Sequence, residues 1–475
     1  MEFSPWTILW IFTGCLHILG MLSAIGAIMT ARTPQGSAAW AVSLIAFPYI
    51  TLPLYWVFGR GRFVGYAVRR HKRDLEVRFL RHQEAISLVE PIPGVAPETL
   101  ALFESLAKMR FRIGNEIRLL RNGHATFDAI FKGIDEAQDF LLIQFYIVRE
   151  ADGAGTAFKE RVMAAARRGV RVYFLYDEIG SRLSNAYLKE MRAAGVHIRP
   201  FRNLKGPKSR LQLNFRNHRK SVIVDGKRAF VGGLNIGDDY LGLYPKRGFW
   251  RDTHVAIQGP AVAQAQVAFM EDWHWSSGEL PDVRWHFAAA KTPGKAVLVL
   301  PSAPADSLET FSLFSLAAIH AARHRVWIST PYFVPDTQIL SALQLAALRG
   351  VDVRILIPAK NDNPLCELAH FSYLKSLLPS GVKMFRYESG FLHQKVCLFD
   401  DALSTVGTAN FDNRSFRLNF EITIVVADLD FGRETQTMLE GDFAQSSPIE
   451  LKDLQRRSFF FKLAVQISRL LAPVL

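Results

Sequence analysis

Two long apolar segments at the start of the chain dominate its pattern of hydrophobic and polar positions. No Asp, Glu, Lys or Arg occurs in residues 3–30 or in residues 33–59. Each segment exceeds the roughly 20 apolar residues that a helix needs to cross a bilayer. Only Arg32 separates the two segments, so the pattern predicts a two-helix transmembrane hairpin within residues 1–62. A cleaved signal peptide is the alternative, but the first four residues lack a basic n-region and the second segment would stay unexplained.

The distribution of basic residues beside these segments predicts an orientation. No basic residue precedes the first segment, whereas six follow the second within a short stretch: Arg60, Arg62, Arg69, Arg70, Lys72 and Arg73. The positive-inside rule then places the N-terminus and everything after residue 60 in the cytoplasm. Residues 63–105 follow as a basic, proline-containing connector, because Pro91, Pro93 and Pro97 discourage regular structure.

From about residue 106 the pattern changes to strands alternating with helices. Residues 140–148 predict a buried strand, 156–168 a helix and 170–176 the next strand. The same order returns later in the chain, where a strand predicted at 326–334 is followed by further matching segments. We therefore predict an α/β fold made by internal duplication, with two similar α/β sandwich domains at 106–290 and 291–475.

The last segment of the chain has the pattern of an amphipathic helix. Its apolar positions share one helical face and its polar positions lie opposite. The apolar face comprises Phe460, Leu463, Ile467, Leu470, Leu471 and Val474. Packing against the core and lying on a membrane surface are both compatible with this pattern.

Composition and charge narrow the classes of partner. An apolar fraction of 49% with 12% aromatic residues excludes a globally disordered chain. The net charge of +13 indicates an anionic partner, either nucleic acid or an acidic membrane surface. The three cysteines show no metal-ligand spacing, so neither a metal site nor a disulfide framework is predicted.

The candidate chemistry lies in a motif that occurs twice, with the pattern H-x-K-x4-D-x6-G-x2-N. Its first copy contains His218, Lys220, Asp225, Gly232 and Asn235, and its second contains His393, Lys395, Asp400, Gly407 and Asn410. On an extended strand, a histidine and a lysine two residues later face the same side. Five residue types at fixed offsets in two places indicate one site with two halves, suited to an anionic group.

A phosphodiester is the anion that this set of residues suits. One neutral imidazole can attack phosphorus, while a second, protonated imidazole donates a proton to the leaving oxygen. Lys220 and Lys395 supply positive charge, and Asn235 and Asn410 supply hydrogen-bond donors for the phosphate. Thr408 offers a further hydroxyl at the position that Gly233 occupies in the first copy. The spacing leaves open which histidine is the nucleophile.

The repeated motif resembles the HKD signature of the phospholipase D superfamily, whose two-copy members form a single active site between two similar domains. The resemblance runs from about residue 106 to the end of the chain. It implies that His218 is the nucleophile and His393 the acid and base. It also implies that an acidic residue orients each histidine; Glu421 follows His393 by 28 residues and Asp252 follows His218 by 34. Asp225 and Asp400 count as signature residues, although we expect them to brace the turn beside the pocket.

The apolar hairpin, with Arg32-Thr33-Pro34 and Phe58-Gly59-Arg60, is similar to that of membrane-bound bacterial cardiolipin synthases. This similarity implies a multi-pass protein of the bacterial cytoplasmic membrane with its catalytic domains in the cytoplasm. The expected reaction transfers a phosphatidyl group between two phosphatidylglycerol molecules through a phosphohistidine, giving cardiolipin and glycerol. This chemistry requires no cofactor or metal, and no nucleic acid partner is expected.

Other functions fit the same motifs. A phospholipase D, a phosphatidylserine synthase or a membrane-anchored nuclease would use the same two-histidine chemistry with another acceptor. A non-catalytic binder of anionic membranes or nucleic acid would use only the charge, and two intact motif copies argue against it. The sequence leaves the oligomeric state open.

Overall fold

The computed structural model describes residues 4–31, 33–59, 92, 94–201, 214–244 and 248–474. The α-helices in these ranges are α1 (Pro5–Thr30), α2 (Pro34–Ala46), α3 (Pro48–Phe58), α4 (Pro97–Ala107), α5 (Asn122–Asp135), α6 (Gly153–Arg167), α7 (Asn185–Ala193), α8 (Ala261–Ser277), α9 (Thr310–Ala321), α10 (Thr337–Leu348), α11 (Pro364–Phe371), α12 (Leu374–Leu377), α13 (Asn413–Arg417), α14 (Leu429–Ala444), α15 (Leu451–Gln455) and α16 (Phe459–Leu470).

The strands are β1 (Arg112–Arg121), β2 (Phe140–Phe145), β3 (Arg171–Asp177), β4 (His197–Phe201), β5 (Arg216–Asn217), β6 (Ser221–Val224), β7 (Arg228–Gly232), β8 (Trp250–Arg251), β9 (Thr253–Gln258), β10 (Lys295–Ser302), β11 (Arg325–Ser329), β12 (Phe333–Val334), β13 (Asp352–Pro358), β14 (Lys383–Tyr387), β15 (Phe391–Leu392), β16 (Val396–Phe399), β17 (Leu403–Gly407), β18 (Phe411–Asp412), β19 (Asn419–Ala427) and β20 (Ser446–Pro448). Short 3-10 turns lie at Asp238–Leu241, Leu378–Ser380 and Ala472–Val474.

The N-terminal segments differ from the predicted pair of transmembrane helices. Helix α1 has 26 residues and is long and apolar enough to cross a membrane. The second apolar segment is two shorter helices, α2 and α3, with a break at Phe47. Pro48 causes the break because it has no N–H to donate and its ring would clash with the carbonyl of Leu44. The prediction of a single second helix is therefore wrong, although α2 and α3 both pack against α1.

Close packing in this region depends on a glycine. A Cβ at Gly20 would lie 2.4 Å from the carbonyl oxygen of Leu44, so a larger residue would push α1 away from α2. Arg32, the basic cluster at 60–73 and most of the predicted connector, residues 63–91 and 93, lie outside the described residues. The end of that connector is helical, since α4 begins at Pro97, which suits the first helical position.

The internal duplication is visible in the sheet. The strand order β1-β9-β7-β6-β2-β3-β4 of the first half is repeated by β10-β19-β17-β16-β11-β13-β14 in the second. β1 and β10 pair antiparallel, so both halves form one continuous sheet. Buried apolar clusters lie on both faces of this sheet, with α8 and α14 covering the face that the two halves share. The prediction of two similar α/β sandwich domains is confirmed.

Most predicted elements occur close to their predicted positions. The strand predicted at 140–148 is β2, which ends earlier, at Phe145. The helix predicted at 156–168 is α6, which begins a few residues earlier. The strand predicted at 326–334 is wrong in its second part, because β11 ends at Ser329 and β12 is a separate strand. Pro331 explains the interruption, since proline cannot donate a hydrogen bond to a neighbouring strand.

Candidate active site

A cavity of about 350 Å³ lies where the two halves meet. His218 and His393 both line it, together with Asn235 and Asn410 of the two motifs. The structure thus brings the two motif copies, which are far apart in sequence, to one site. This arrangement is the one that the repeated pattern predicts.

Short strands from opposite halves position the two histidines. β5 pairs with β19 and β15 pairs with β8, both in parallel, so each motif is preceded by a strand paired with the other half. The backbone N–H of His218 donates to the Phe420 carbonyl at 2.9 Å, and that of His393 donates to the Arg251 carbonyl at 2.8 Å. Each H-x-K triplet is a connection between two strands, so the histidine and the lysine do not lie together on one extended strand.

Each histidine contacts a carboxylate that belongs to the other half. Nδ1 of His218 lies 2.9 Å from Oε2 of Glu421, and Nδ1 of His393 lies 2.6 Å from Oδ2 of Asp252. A carboxylate at Nδ1 holds the proton there and leaves the lone pair on Nε2. The structure therefore brings together all four residues that the sequence marked, and it pairs them across the two halves.

Glu421 and Asp252 are held by different neighbours. Oε1 of Glu421 accepts hydrogen bonds from Ser415 at 2.9 Å and from Asn419 at 3.1 Å. The Thr408 hydroxyl donates to Oε2 of Glu421 at 2.6 Å. The structure thus shows Thr408 bound to the carboxylate that contacts His218, while the sequence indicated its hydroxyl as a further group for the phosphate. The same hydroxyl oxygen accepts a hydrogen bond from the backbone N–H of Ile422 at 2.9 Å.

The equivalent position in the first half must be glycine for a steric reason. A Cβ at Gly233 would lie 2.1 Å from Oδ1 of Asp252. That oxygen accepts a hydrogen bond from the backbone N–H of Thr253 at 2.7 Å, while Oδ2 faces His393. The two halves therefore support their carboxylates by different means, one through hydroxyl and amide side chains and the other through backbone.

Burial sets the protonation of these pairs. It lowers the pKa of His218 to about 4 and the pKa of His393 to about 4, and the adjacent carboxylates offset this only in part. Burial alone would raise the pKa of Glu421 and of Asp252, but the partner histidine holds both values below the ordinary range. These shifts favour neutral imidazoles beside charged carboxylates at neutral pH.

The two lysines are buried beside their histidines. Nζ of Lys220 donates to the His218 carbonyl at 2.7 Å, and Nζ of Lys395 donates to the His393 carbonyl. Burial lowers the pKa of Lys395 to about 8 and that of Lys220 well below its usual value. An ammonium has three donors, so each lysine retains protons for an anion after bonding the carbonyl.

The two motif asparagines have different surroundings. Asn235 accepts from the Ile147 N–H at 3.1 Å and donates to the Tyr240 hydroxyl at 2.9 Å. Oδ1 of Asn410 is buried without a hydrogen-bond partner among the residues that the structure describes. A buried unsatisfied amide at a cavity wall is costly unless a ligand completes it. Oδ1 of Asn410 can therefore accept a hydrogen bond from a ligand, whereas Oδ1 of Asn235 already accepts from Ile147.

Asp225 and Asp400 lie outside the cavity wall and brace turns, as the sequence led us to expect. Asp225 accepts from backbone N–H groups of residues 138–140, and Asp400 accepts from those of residues 323–325. Both residues have positive φ, 52° and 49°, in the left-handed region that aspartate tolerates better than most residues. They fix the turn after β6 and after β16, and thereby the strands that follow each motif lysine.

The residue between the histidine and the lysine of each motif contacts a buried carboxylate, and the motif pattern does not indicate it. Arg219 is buried and donates to the Asp272 carboxylate of α8 at 3.0 Å. Gln394 donates to the Asp442 carboxylate of α14 at 2.7 Å. The two helices thus hold the motifs in equivalent ways. In the sequence, Arg219 and Gln394 stand between the histidine and the lysine of each motif, and this local pattern does not identify their partners.

Several cations and aromatic rings also surround the cavity, and the sequence did not mark them as site residues. Arg149, Arg216 and Arg414 line it. The Tyr146 ring lies edge-on to His218 with ring centroids 5.0 Å apart, and the Trp250 ring centroid lies 5.2 Å from that of His393.

Among the described residues, no group of three or more His, Cys, Asp or Glu side chains is arranged to hold a metal ion. The metal-free site stays a prediction.

Known proteins resemble this chain in sequence and fold. A family model described as cardiolipin synthase, PLD-like domain, matches residues 130–273 and 316–443, one match in each half. Cardiolipin synthase A of Pseudomonas putida KT2440 is 43% identical over 473 residues, covering 97% of each chain. The protein of the same name from Pseudomonas putida W619 is 44% identical with the same coverage.

A solved structure extends the comparison to the fold. The crystal structure of phosphatidylserine synthase from Haemophilus influenzae Rd KW20 matches with a TM-score of 0.62 at 14% identity. The match covers 80% of this chain and 100% of that chain. At this level of identity the likeness concerns the fold alone.

Proposed function

The chain belongs to the PLD-like family of cardiolipin synthases, and on this premise we propose that it joins two phosphatidylglycerol molecules into cardiolipin with release of glycerol. It is a phosphatidyltransferase whose substrates are phospholipids. One observation carries the reaction: two histidines with carboxylate-bound Nδ1 atoms line a single cavity. Neutral imidazoles in that tautomer can serve as nucleophile and as proton carrier.

In the first step, Nε2 of His218 attacks the phosphorus of one phosphatidylglycerol. The bond between phosphorus and the glycerol oxygen breaks, and His393 gives that oxygen a proton, so free glycerol leaves. His218 becomes phosphorylated through a P–N bond, and Glu421 stabilises the charge that develops on its ring. Lys220 and Lys395 hold the non-bridging oxygens.

In the second step, a glycerol hydroxyl of another phosphatidylglycerol attacks the same phosphorus. His393 takes the proton of this hydroxyl, the P–N bond breaks, and cardiolipin is released. The assignment of His218 as nucleophile is supported by the hydrogen bonds that hold its partner Glu421. His393 needs a proton at the start, which the phosphodiester anion favours by its charge.

We also propose a location in the bacterial cytoplasmic membrane, with more than one crossing and with the catalytic halves in the cytoplasm. The length and apolar character of α1 support the membrane anchor. The basic residues after the second segment support the orientation. Cysteine labelling in intact cells tests it: a reagent restricted to the periplasm should not reach a cysteine introduced at Glu440, an exposed position of α14.

Lipid analysis of bacterial cells that lack their own cardiolipin synthases tests the reaction. Expression of the wild-type chain should produce cardiolipin, and expression of His218→Ala should produce none. His320→Ala removes an exposed histidine far from the motifs in sequence and serves as a matched control that should retain activity. An unchanged lipid profile with wild-type protein in the membrane would overturn the proposal.

Product analysis with the purified enzyme distinguishes this reaction from those that use another acceptor. Purified enzyme in phosphatidylglycerol vesicles should form cardiolipin and little phosphatidic acid, because water competes poorly with a bound hydroxyl. Accumulation of phosphatidic acid would indicate a phospholipase, and phosphatidylserine formed on adding serine to vesicles with a suitable donor would indicate that synthase. Cleavage of added DNA without lipid products would indicate a nuclease.

A further inference from the structure

Helix α16 (Phe459–Leu470) packs on the second half through only one of its faces. Val465 and Ser468 are buried, and the Phe461 ring contacts Phe371 of α11 with centroids 5.3 Å apart. The Ser458 side chain accepts from the N–H of Phe461 and thereby caps the start of the helix. The helix is therefore an ordered element with a fixed orientation.

The opposite face of α16 carries large apolar side chains that are exposed. Phe460 is 79% exposed and Leu470 is 78% exposed. The remaining members of this face are Phe459, Leu463 and Ile467, and Leu471, directly after the helix, is exposed as well. These positions include most of the stripe that the sequence predicts, so the stripe is not used for core packing; the side chain of Val474 lies outside the described residues. A contiguous exposed stripe of this kind marks an interaction surface.

The charge around this face selects an anionic partner. Residues 456–475 contain four basic residues and no Asp or Glu. Arg456 and Arg457, just before α16, and Arg469, in its last turn, are exposed. Large apolar side chains combined with exposed arginines are typical of helices that lie in the headgroup region of an anionic membrane. A protein partner would need an extended apolar groove lined with carboxylates.

The helix is connected to the cavity wall through its neighbours. α11, against which α16 packs, follows Asn363 and contains Cys366, and both line the cavity. At its other end, the turn Ala472–Val474 contacts α13, which carries Arg414 of the same wall. A surface bound to α16 would therefore lie one element away from the site where phosphate chemistry is proposed.

We propose that the exposed face of α16 inserts at the headgroup level of a bilayer containing anionic phospholipid and holds the cavity beside that bilayer. This inference rests on the proposed function for the identity of the substrate, but the docking surface is defined by α16 itself. The apolar side chains enter the acyl boundary while the arginines contact lipid phosphates. The enzyme then has two attachments, α1 as an anchor and α16 as a contact that orients the cavity.

Site-directed fluorescence of the full chain in vesicles tests this proposal. Cys366 and Cys397 are buried, so a Cys15→Ser background allows selective labelling of Leu470→Cys with an environment-sensitive dye. The matched control is Leu348→Cys, on α10, where the leucine is 70% exposed. Both proteins are reconstituted in two kinds of vesicle, phosphatidylcholine with phosphatidylglycerol and phosphatidylcholine alone. Each kind contains lipids that carry a nitroxide at either a shallow or a deep acyl position.

The expected result is a blue-shifted emission at position 470 with several-fold stronger quenching than at position 348. Shallow nitroxides should quench more than deep ones, and quenching should weaken without phosphatidylglycerol. A blue shift without lipid quenching would mean that protein, including a second copy of the chain, covers the face, and it would overturn the proposal. Unshifted emission, or equal quenching in phosphatidylcholine alone, would overturn it as well.

Cardiolipin formation measured in the same phosphatidylglycerol vesicles separates this proposal from the proposed function. Cardiolipin without quenching at position 470 contradicts the role of α16 and leaves the reaction intact. Quenching at position 470 without cardiolipin supports the docking surface and contradicts the reaction.

Discussion

Glu421 lies 2.9 Å from Nδ1 of His218, although 203 residues separate them and they belong to different halves of the duplication. Asp252 contacts His393 in the same crossed manner across 141 residues. Each half therefore supplies a histidine to one pair and a carboxylate to the other. Neither half contains a complete pair, which gives a physical reason why both copies are retained in one chain.

The crossed pairing predicts the effect of neutralising Glu421. Glu421→Gln keeps the shape of the side chain but removes the charge that stabilises the His218 imidazolium and fixes its tautomer. We expect kcat for cardiolipin formation to fall by about 10²- to 10⁴-fold, with a small change in KM. Glu440→Gln, at an exposed site on α14, is the control and should match wild type. A rise in KM with an unchanged kcat would assign Glu421 to substrate contact instead.

The order of the two histidines can be tested with a phosphodiester that has a good leaving group, such as a p-nitrophenyl ester. Such a substrate needs no acid for the first step, so His393→Ala should accumulate a phosphorus-labelled protein. His218→Ala should not become labelled, because it lacks the nucleophile. Label trapped on His218→Ala and absent from His393→Ala would reverse the assignment. Acid lability of the label identifies a P–N bond.

Gly233 predicts a steric effect on the second pair. A Cβ at this position would meet Oδ1 of Asp252 at 2.1 Å, so Gly233→Ala should displace the carboxylate from His393. We expect kcat to fall by about 10-fold or more, since the proton carrier loses its orientation. Gly441→Ala is the control, because a Cβ there meets no neighbouring atom within 4 Å. That variant should keep full activity and gain up to about 1 kcal/mol of helix stability.

Replacing Asp272 is expected to cause a large loss of folding stability. It accepts hydrogen bonds from the side chains of Gln144, Asn217 and Arg219, all of which are buried. Asp272→Ala would leave the Arg219 charge without its carboxylate, at an expected cost of about 3–5 kcal/mol in the free energy of unfolding.

The control for this prediction is an exposed ion pair. Asp430→Ala breaks the contact with Arg433 on the surface of α14 and should change the free energy of unfolding by less than about 1 kcal/mol. Denaturant unfolding of the detergent-solubilised protein measures both variants. Equal, small losses for the two variants would show that the buried network does not support the motif.

Buried histidines predict that stability falls with acid. Burial lowers the pKa of His254 to about 3 and that of His370 to about 3. The unfolded chain takes up these protons near pH 6.5, so it binds more protons than the native protein between about pH 6.5 and pH 3. The stability that these groups contribute is therefore present above pH 6.5 and is lost as the pH falls, by up to about 1.4 kcal/mol per pH unit and group.

A single variant isolates this effect. His370→Gln removes one titrating group, so its thermal midpoint should fall less steeply than that of wild type as the pH is lowered from 7 to 5. The difference in midpoint between the two proteins should narrow with acid. Parallel curves would mean that His370 does not contribute to the pH dependence.

Local patterns were sufficient for much of this protein. The doubled motif, the strand and helix order and the apolar start follow from residue spacing, and spacing is a property of neighbouring residues. The break at Pro48 was also present in the sequence, but the count of apolar residues does not register a missing N–H. The stripe on α16 was predicted, and only the structure shows that its side chains stay exposed.

Other features depended on residues that are distant in sequence. Spacing placed Glu421 after His393, yet the parallel pairing of β5 with β19 brings it to His218. Thr408 was expected to bind phosphate, but its hydroxyl is turned to Glu421 by the same fold. The sequence by itself determined the histidines, lysines, asparagines and carboxylates of the two motif copies, but not the arginines and aromatic rings around them. Tertiary structure decided which groups meet, because strand pairing between the two halves sets distances that no local spacing encodes.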